Sequence, residues 1–262
     1  MSVESNSKRT LWSVTALLAI GFASASAGVI DEDFNAGLPA GATLHGSASA
    51  TGTAIQLTPF AFSQLGGLSF TDQDAGFGVL NFVAEFDFQM TGGSGGADGI
   101  SLSFSRLGVV GAAGEEGIGS GLALGLDTWN NGAGDDFSSN HASLRFDGFL
   151  VAVNSALPLD LNDGGIHHAR MEFDMGLVDV YLDPDGATPE TQIFFGEALP
   201  GWTPYAGQFN FGARTGGARN AHIIDDFLAI TTSEIPEPTT LSLCALGLLG
   251  VVRRRVRRVI RE

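Results

Sequence analysis

Apolar and polar residues alternate with a period of two over much of the chain. In Asn81-Phe82-Val83-Ala84-Glu85-Phe86-Asp87-Phe88, the residues Phe82, Ala84, Phe86 and Phe88 share one face, and Glu85 and Asp87 lie on the other. The same alternation runs through 100–104, 169–173 and 178–182, and further apolar runs cover 122–127, 209–212 and 223–230. Clusters of Gly, Asn and Asp separate these runs, which is how short strands joined by turns read in sequence. Ten or more such strands without a convincing helix predict two packed antiparallel sheets, a β-sandwich or jelly roll. No internal repeat or second domain boundary stands out.

The two ends break the pattern. Lys8 and Arg9, the apolar run from Leu11 to Phe22, and Ala25-Ser26-Ala27 give 1–27 the form of a secretory signal helix, with cleavage expected at Ala25 and Ala27. At the other end Pro236-Glu237-Pro238 precedes an uncharged stretch from Thr239 to Val252, then the basic block Arg253-Arg254-Arg255-Val256-Arg257-Arg258. A helix over that stretch spans about 21 Å, short of a bilayer core of about 30 Å. The basic block would hold the end in the cytoplasm. A short apolar helix with a basic stop predicts a transient membrane anchor. The expected layout is a signal peptide over 1–27, one β-sandwich domain over 28–233 and a sorting tail over 234–262.

Charge sharpens this layout. Between residues 28 and 238 there are five basic residues, all Arg, against 27 acidic ones, a formal charge of −22. Such a field disfavours nucleic acid and suits divalent cations and neutral ligands. The single Cys244 lies in the C-terminal apolar run, so the domain has no internal disulfide, and a domain of this size needs none.

The order of Pro-Glu-Pro motif, short apolar span and Arg block resembles the PEP-CTERM sorting signal of Gram-negative bacteria. The resemblance covers 235–258. It implies recognition and cutting by a membrane exosortase, and export to the envelope, outer surface or extracellular matrix. It also implies a setting of extracellular polysaccharide production.

One segment carries candidate chemistry. The strand from Leu122 ends at Asp127 and opens into the polar loop Thr128-Trp129-Asn130-Asn131-Gly132-Ala133-Gly134-Asp135-Asp136. Asp127, Asn131, Asp136 and the carbonyl of Trp129 offer hard oxygens on a flexible loop, the donors calcium takes. An ordinary acidic turn is the plainer reading of the same residues.

This loop, with Ala97-Asp98-Gly99-Ile100 before it and Phe211 to Gly217, His222 and Asp225-Asp226-Phe227 after it, resembles the L-type lectins, the legume lectins and cargo lectins of the secretory pathway. The resemblance spans roughly residues 33–231. It implies a concanavalin A-like jelly roll and a cis Ala97–Asp98 bond. It implies one calcium held by Asp127, Trp129, Asn131 and Asp136. The sugar site would comprise Asp98, Trp129, Asn131, Gly217 and Ala218, with a glycine of 111–117 adding a backbone N–H. Gly125 stands where legume lectins carry a metal-binding Glu. His141 then lacks its partner: it stays a candidate metal ligand second to a hydrogen-bonded structural histidine, and no manganese is expected.

The expected function is carbohydrate binding through a calcium-supported site, without catalysis. A structural or adhesive envelope protein on the same fold is the alternative. A glycoside hydrolase is weaker, because Glu85/Asp87 and Glu172/Asp174 lack a third carboxylate at Met90 or Leu177. His167 and His168, adjacent on a strand, point to opposite faces and make a poor metal pair.

Overall fold

The computed structural model describes residues 27–92, 95–184 and 190–234. The expected signal segment, but for Ala27, and the expected sorting tail, but for Glu234, lie outside these residues. No helix among the described residues is long and apolar enough to cross a membrane.

The strands are β1 (Val29–Glu32), β2 (Ala42–Gly46), β3 (Ser49–Ala50), β4 (Ile55–Thr58), β5 (Leu65–Phe70), β6 (Val79–Thr91), β7 (Gly99–Arg106), β8 (Leu122–Asp127), β9 (His141–Phe146), β10 (Phe149–Asn154), β11 (Ile166–Asp174), β12 (Leu177–Pro184), β13 (Thr191–Ala198), β14 (Gly207–Arg214) and β15 (Ala221–Ser233). They form two antiparallel sheets. The eight-stranded sheet runs β13-β12-β11-β6-β15-β4-β3, with β1 also on β15, and the seven-stranded sheet runs β10-β9-β8-β7-β14-β5-β2. The chain is thus the expected all-β jelly-roll sandwich.

The alternation read from sequence decides what fills the space between the sheets. Phe82, Ala84, Phe86, Phe88 and Met90 of β6 are all buried. They meet Ile100, Leu102 and Phe104 of β7 and Phe209 and Phe211 of β14 within one core. Aromatic edges interlock across the gap: Phe86 meets Phe211 at 5.0 Å between ring centroids, and Phe227 meets Phe211 at 4.9 Å, both near perpendicular. A β-bulge between Asp225 and Leu228 lets β15 bend while Phe227 stays fully buried.

The seven-stranded sheet differs in one respect that matters for the site: β7 and β8 are buried on both faces. Their outer face carries small residues, and the segment 107–121 lies across it. Ser101 Oγ donates to the Gly114 carbonyl at 2.7 Å, and Ser105 Oγ donates to the Val109 carbonyl at 2.7 Å. Ion pairs of Glu115 with Arg214 and of Glu116 with Arg145 hold the segment down.

Candidate functional site

Register places the site. On the outer face of the seven-stranded sheet, Arg214 of β14 pairs with Gly99 of β7, Gly99 with Asp127 of β8, and Asp127 with His141 of β9. These four residues form one row across four strands, where β8 and β14 end and β7 and β9 begin. Asp98 immediately precedes that row. Its peptide bond to Ala97 is cis, as the lectin resemblance implies. The Asp98 backbone is held from both sides: its N–H donates to the Arg214 carbonyl at 2.8 Å, and its carbonyl accepts from Thr128 N–H at 2.8 Å and Thr128 Oγ1 at 2.7 Å.

Three metal-capable side chains converge at the Asp127 end. Asp127, Asp135 and His141 are buried, with one donor atom from each lying within 4.8 Å of the others. His141 Nε2 lies 3.7 Å from Asp127 Oδ2 and 3.6 Å from Asp135 Oδ1. Its Nδ1 lies 3.1 Å from the Ser138 carbonyl, which can only accept, so Nδ1 carries the proton and the neutral ring presents a lone pair at Nε2. Three acceptor atoms therefore face one another, an arrangement that a cation resolves. Burial pushes Asp127 up to about 8, with Glu115, Asp135 and Asp98 adding to the rise, and burial lowers His141 below its ordinary value.

The acidic residue that the structure brings to Asp127 is Asp135, where the sequence pattern pointed to Asp136. A single 3₁₀ turn over Ala133–Asp135 carries Asp135 inward, and the chain then reverses at Asp136 in a left-handed conformation (φ 52°). Asp136 is exposed and accepts a 2.6 Å hydrogen bond from Ser155 Oγ. Strand register sets His141 opposite Asp127. Asp135 also accepts from the Asn131 backbone N–H, and Asp127 Oδ1 accepts from the Trp129 N–H at 2.6 Å. These contacts curl the loop around the cluster while the Asn131 and Trp129 side chains remain exposed.

The loop after β14 closes the Asp98 end. A side chain placed at Gly216 would come within 3.5 Å of Asp98 Oδ2, so this turn passes directly over the carboxylate. Gly217 is exposed beside it and Ala218 half-buried. Two residues unremarked in sequence complete the site. Arg214 Nε donates to Asp98 Oδ2 at 2.8 Å, and Arg214 also pairs with Glu115. Glu115 is buried, one of its oxygens has no hydrogen-bond partner, and burial raises its pKa. Its backbone rests on two glycines: a Cβ at Gly99 would sit 3.0 Å from the Glu115 Cβ, and one at Gly125 would sit 2.5 Å from the Glu115 carbonyl oxygen. The absence of the legume-type Glu at position 125 is thus steric, since the crossing segment occupies its space. The Gly-rich pattern of 111–121 was the available signal for that crossing.

The carboxylates set aside in sequence lie elsewhere. On the eight-stranded sheet, His168 Nδ1 pairs with Asp87 at 2.8 Å, and Arg170 pairs with Glu172 and Glu190. His167 pairs with Asp163 at 2.9 Å.

Solved structures similar to this chain include L-type and legume lectins. The exoplasmic/lumenal domain of VIP36, solved in a calcium- and mannose-bound form, aligns with a TM-score of 0.59 at 18% identity, covering 76% of this chain and 85% of that one. Peanut lectin bound to a nonapeptide aligns at 0.61 with 20% identity, covering 82% and 100%. Lectin I-B4 of Griffonia simplicifolia, in a metal-free form, aligns at 0.63 with 17% identity, covering 80% and 100%. The fold is therefore that of the L-type lectins. Residues 234–258 match the PEP-CTERM protein-sorting motif, which marks a chain for export through the Gram-negative envelope. No curated protein matches the sequence.

Proposed function

We propose that this chain is an exported carbohydrate-binding protein whose sugar site is shaped by one calcium ion. The observation that carries the reading is the row Arg214–Gly99–Asp127–His141, which brings Asp98 beside a buried cluster that calls for a cation. Calcium would take carboxylate oxygens from Asp127 and Asp135, and oxygens from the Asn131 side chain and the Trp129 carbonyl. It would supply the positive charge that lets both carboxylates stay ionised at neutral pH. His141 adds a nitrogen donor that hard cations use little, so its place in the proposal is to close the inner wall, with its Nδ1–H donated to the Ser138 carbonyl.

The protein groups then bind the sugar. Asp98 would accept from adjacent hydroxyls, chiefly through Oδ1, because Arg214 holds Oδ2. Asn131 would donate its amide N–H, the Trp129 ring would pack on an apolar sugar face, and Gly217 and Ala218 would shape the rim. The boundaries at 28 and 233 belong to the same reading, with the signal segment removed, the tail cut by an exosortase, and the domain left at the outer surface or in the matrix. The proposed activity is binding, because Glu85 and Asp87 lie against His168, Glu172 pairs with Arg170, and neither acid pair has a third carboxylate at Met90 or Leu177.

Calorimetry with calcium, followed by a glycan array with and without chelator, tests the proposal. Asp127→Ala is expected to abolish both calcium and glycan binding, and glycan binding that persists in this variant refutes the metal-dependent scheme. A second reading, a structural or adhesive protein without a working sugar site, is favoured by the Arg214–Asp98 ion pair. Calcium binding with no glycan signal would select it.

A further inference from the structure

Four of the five arginines of the domain are answered by carboxylates: Arg106 by Asp147, Arg145 by Glu116, Arg170 by Glu190 and Arg214 by Asp98. Arg219 is different. Its guanidinium carbon lies 4.4 Å from the ring centroid of Phe60 and 4.4 Å from that of Phe62. No hydrogen bond or ion pair reaches it among the described residues. Both rings are about half exposed, at 48% and 52%, although each is a large apolar group on the surface of a strongly acidic protein.

This group belongs to the rim of the site. Thr215 Oγ1 donates to the Ala61 carbonyl at 2.7 Å and accepts from the Gln64 N–H at 2.9 Å. The Ser63 N–H donates to the Gly216 carbonyl at 3.2 Å. The loop that bears both phenylalanines is thus stitched to the turn that covers Asp98. Arg219 follows that turn, so Asp98 and the Phe60–Arg219–Phe62 group lie on two ends of one structural piece.

We infer that Phe60, Arg219 and Phe62 form a second subsite, which takes the carboxylate of an acidic sugar next to the sugar held at Asp98. The two rings hold the guanidinium, while its N–H groups keep their hydrogen-bonding capacity for a ligand. A carboxylate takes such a planar fork with two parallel hydrogen bonds. Charge limits the class further. A domain of formal charge −20 over 28–233 repels a densely charged polymer, so the fitting ligand is a mainly neutral glycan with an isolated uronate residue. The inference rests on the carbohydrate reading above and names one chemical class of ligand for that site.

The test uses the full calcium-loaded chain in mild detergent, on an array that pairs uronate-containing oligosaccharides with their carboxyl-reduced twins and with sulfated analogues. The expected result is a preference of about tenfold for a uronate member over its reduced twin, the scale of one hydrogen-bonded charge pair. Arg219→Gln removes that preference and leaves the reduced twin bound as before. Arg219→Lys, which keeps the charge and loses the fork, also loses most of it. An unchanged preference in Arg219→Gln overturns the subsite, as does a wild-type preference for reduced or sulfated members, or the absence of any glycan signal. Glycan binding that survives both Asp127→Ala and chelation strikes the calcium-supported reading alone, and the Arg219 comparison still stands.

Discussion

At the scale of single residues, Gly125 shows how a departure from a family pattern can have a local cause. The carbonyl of Glu115 occupies the place a side chain would take, and Ser143 Oγ lies 2.8 Å from the same point. Gly125→Glu, which restores the legume residue, is therefore expected to displace the 107–121 segment and to lower stability by about 1–3 kcal/mol, the usual range for overpacking. Denaturant unfolding measures the loss, and an unchanged midpoint would contradict the packing described. His168 gives a residue-scale prediction in pH. The hydrogen bond that its Nδ1–H donates to Asp87 Oδ1 raises its pKa, and burial opposes the rise. A raised folded value means that the pair stabilises fully below the unfolded value of about 6.5 and that the contribution fades as pH rises through the folded value. Asp87→Asn should cost on the order of 0.5 kcal/mol near pH 5.5 and nothing near pH 9. In NMR titration the His168 pKa of the variant should fall toward the ordinary value.

At the scale of elements, the strand alternation does two jobs. On β6 it separates a continuous aromatic face from an acidic one, so one side builds core and the other meets solvent. On β7 and β8 it separates large core residues from Gly, Ala and Ser, and the small side accepts a crossing segment. Phe227 joins the two sheets, with Phe70, Phe209 and Phe211 packed on its ring. Phe227→Ala is expected to destabilise by about 3–5 kcal/mol, because transfer and cavity terms add. A loss below about 1 kcal/mol by chemical denaturation would show that the β15 bulge region can collapse around the gap. The candidate site depends on the same elements, since register on β14, β7, β8 and β9 decides which side chains meet.

At the scale of the whole molecule, the domain folds against its own charge. With five basic and 27 acidic residues between 28 and 238, and with four of the five arginines already paired, self-repulsion is spread over the surface. Raising sodium chloride from low concentration to about 0.15 M, where the screening length falls to about 8 Å, should raise the melting temperature by a few degrees. Calcium should add a further rise by mass action, since only the folded chain offers the buried cluster. A melting temperature indifferent to salt would remove self-repulsion as a factor in this fold.

Much of this protein is legible in the sequence. Period-two alternation fixed the strands, because a strand with one buried face must repeat every second residue. The Ala-Asp-Gly and Asp-x-Trp-x-Asn pieces marked where chemistry concentrates, since such residues cluster at strand ends and in turns. The sequence pattern pointed to Asp136 and passed over Asp135, the residue that the structure sets beside Asp127, because adjacent residues differ only in the direction a 3₁₀ turn gives them. It could not place Glu115, Arg214 or Arg219, whose partners lie far along the chain and meet only through sheet register and loop packing. The sequence by itself determined the sandwich, the acidic surface and the sorting motif, all of which are local patterns. Only the tertiary structure decided which carboxylates face His141, why position 125 is glycine and which arginine is left without an acid, because those are contacts between residues that sequence keeps apart.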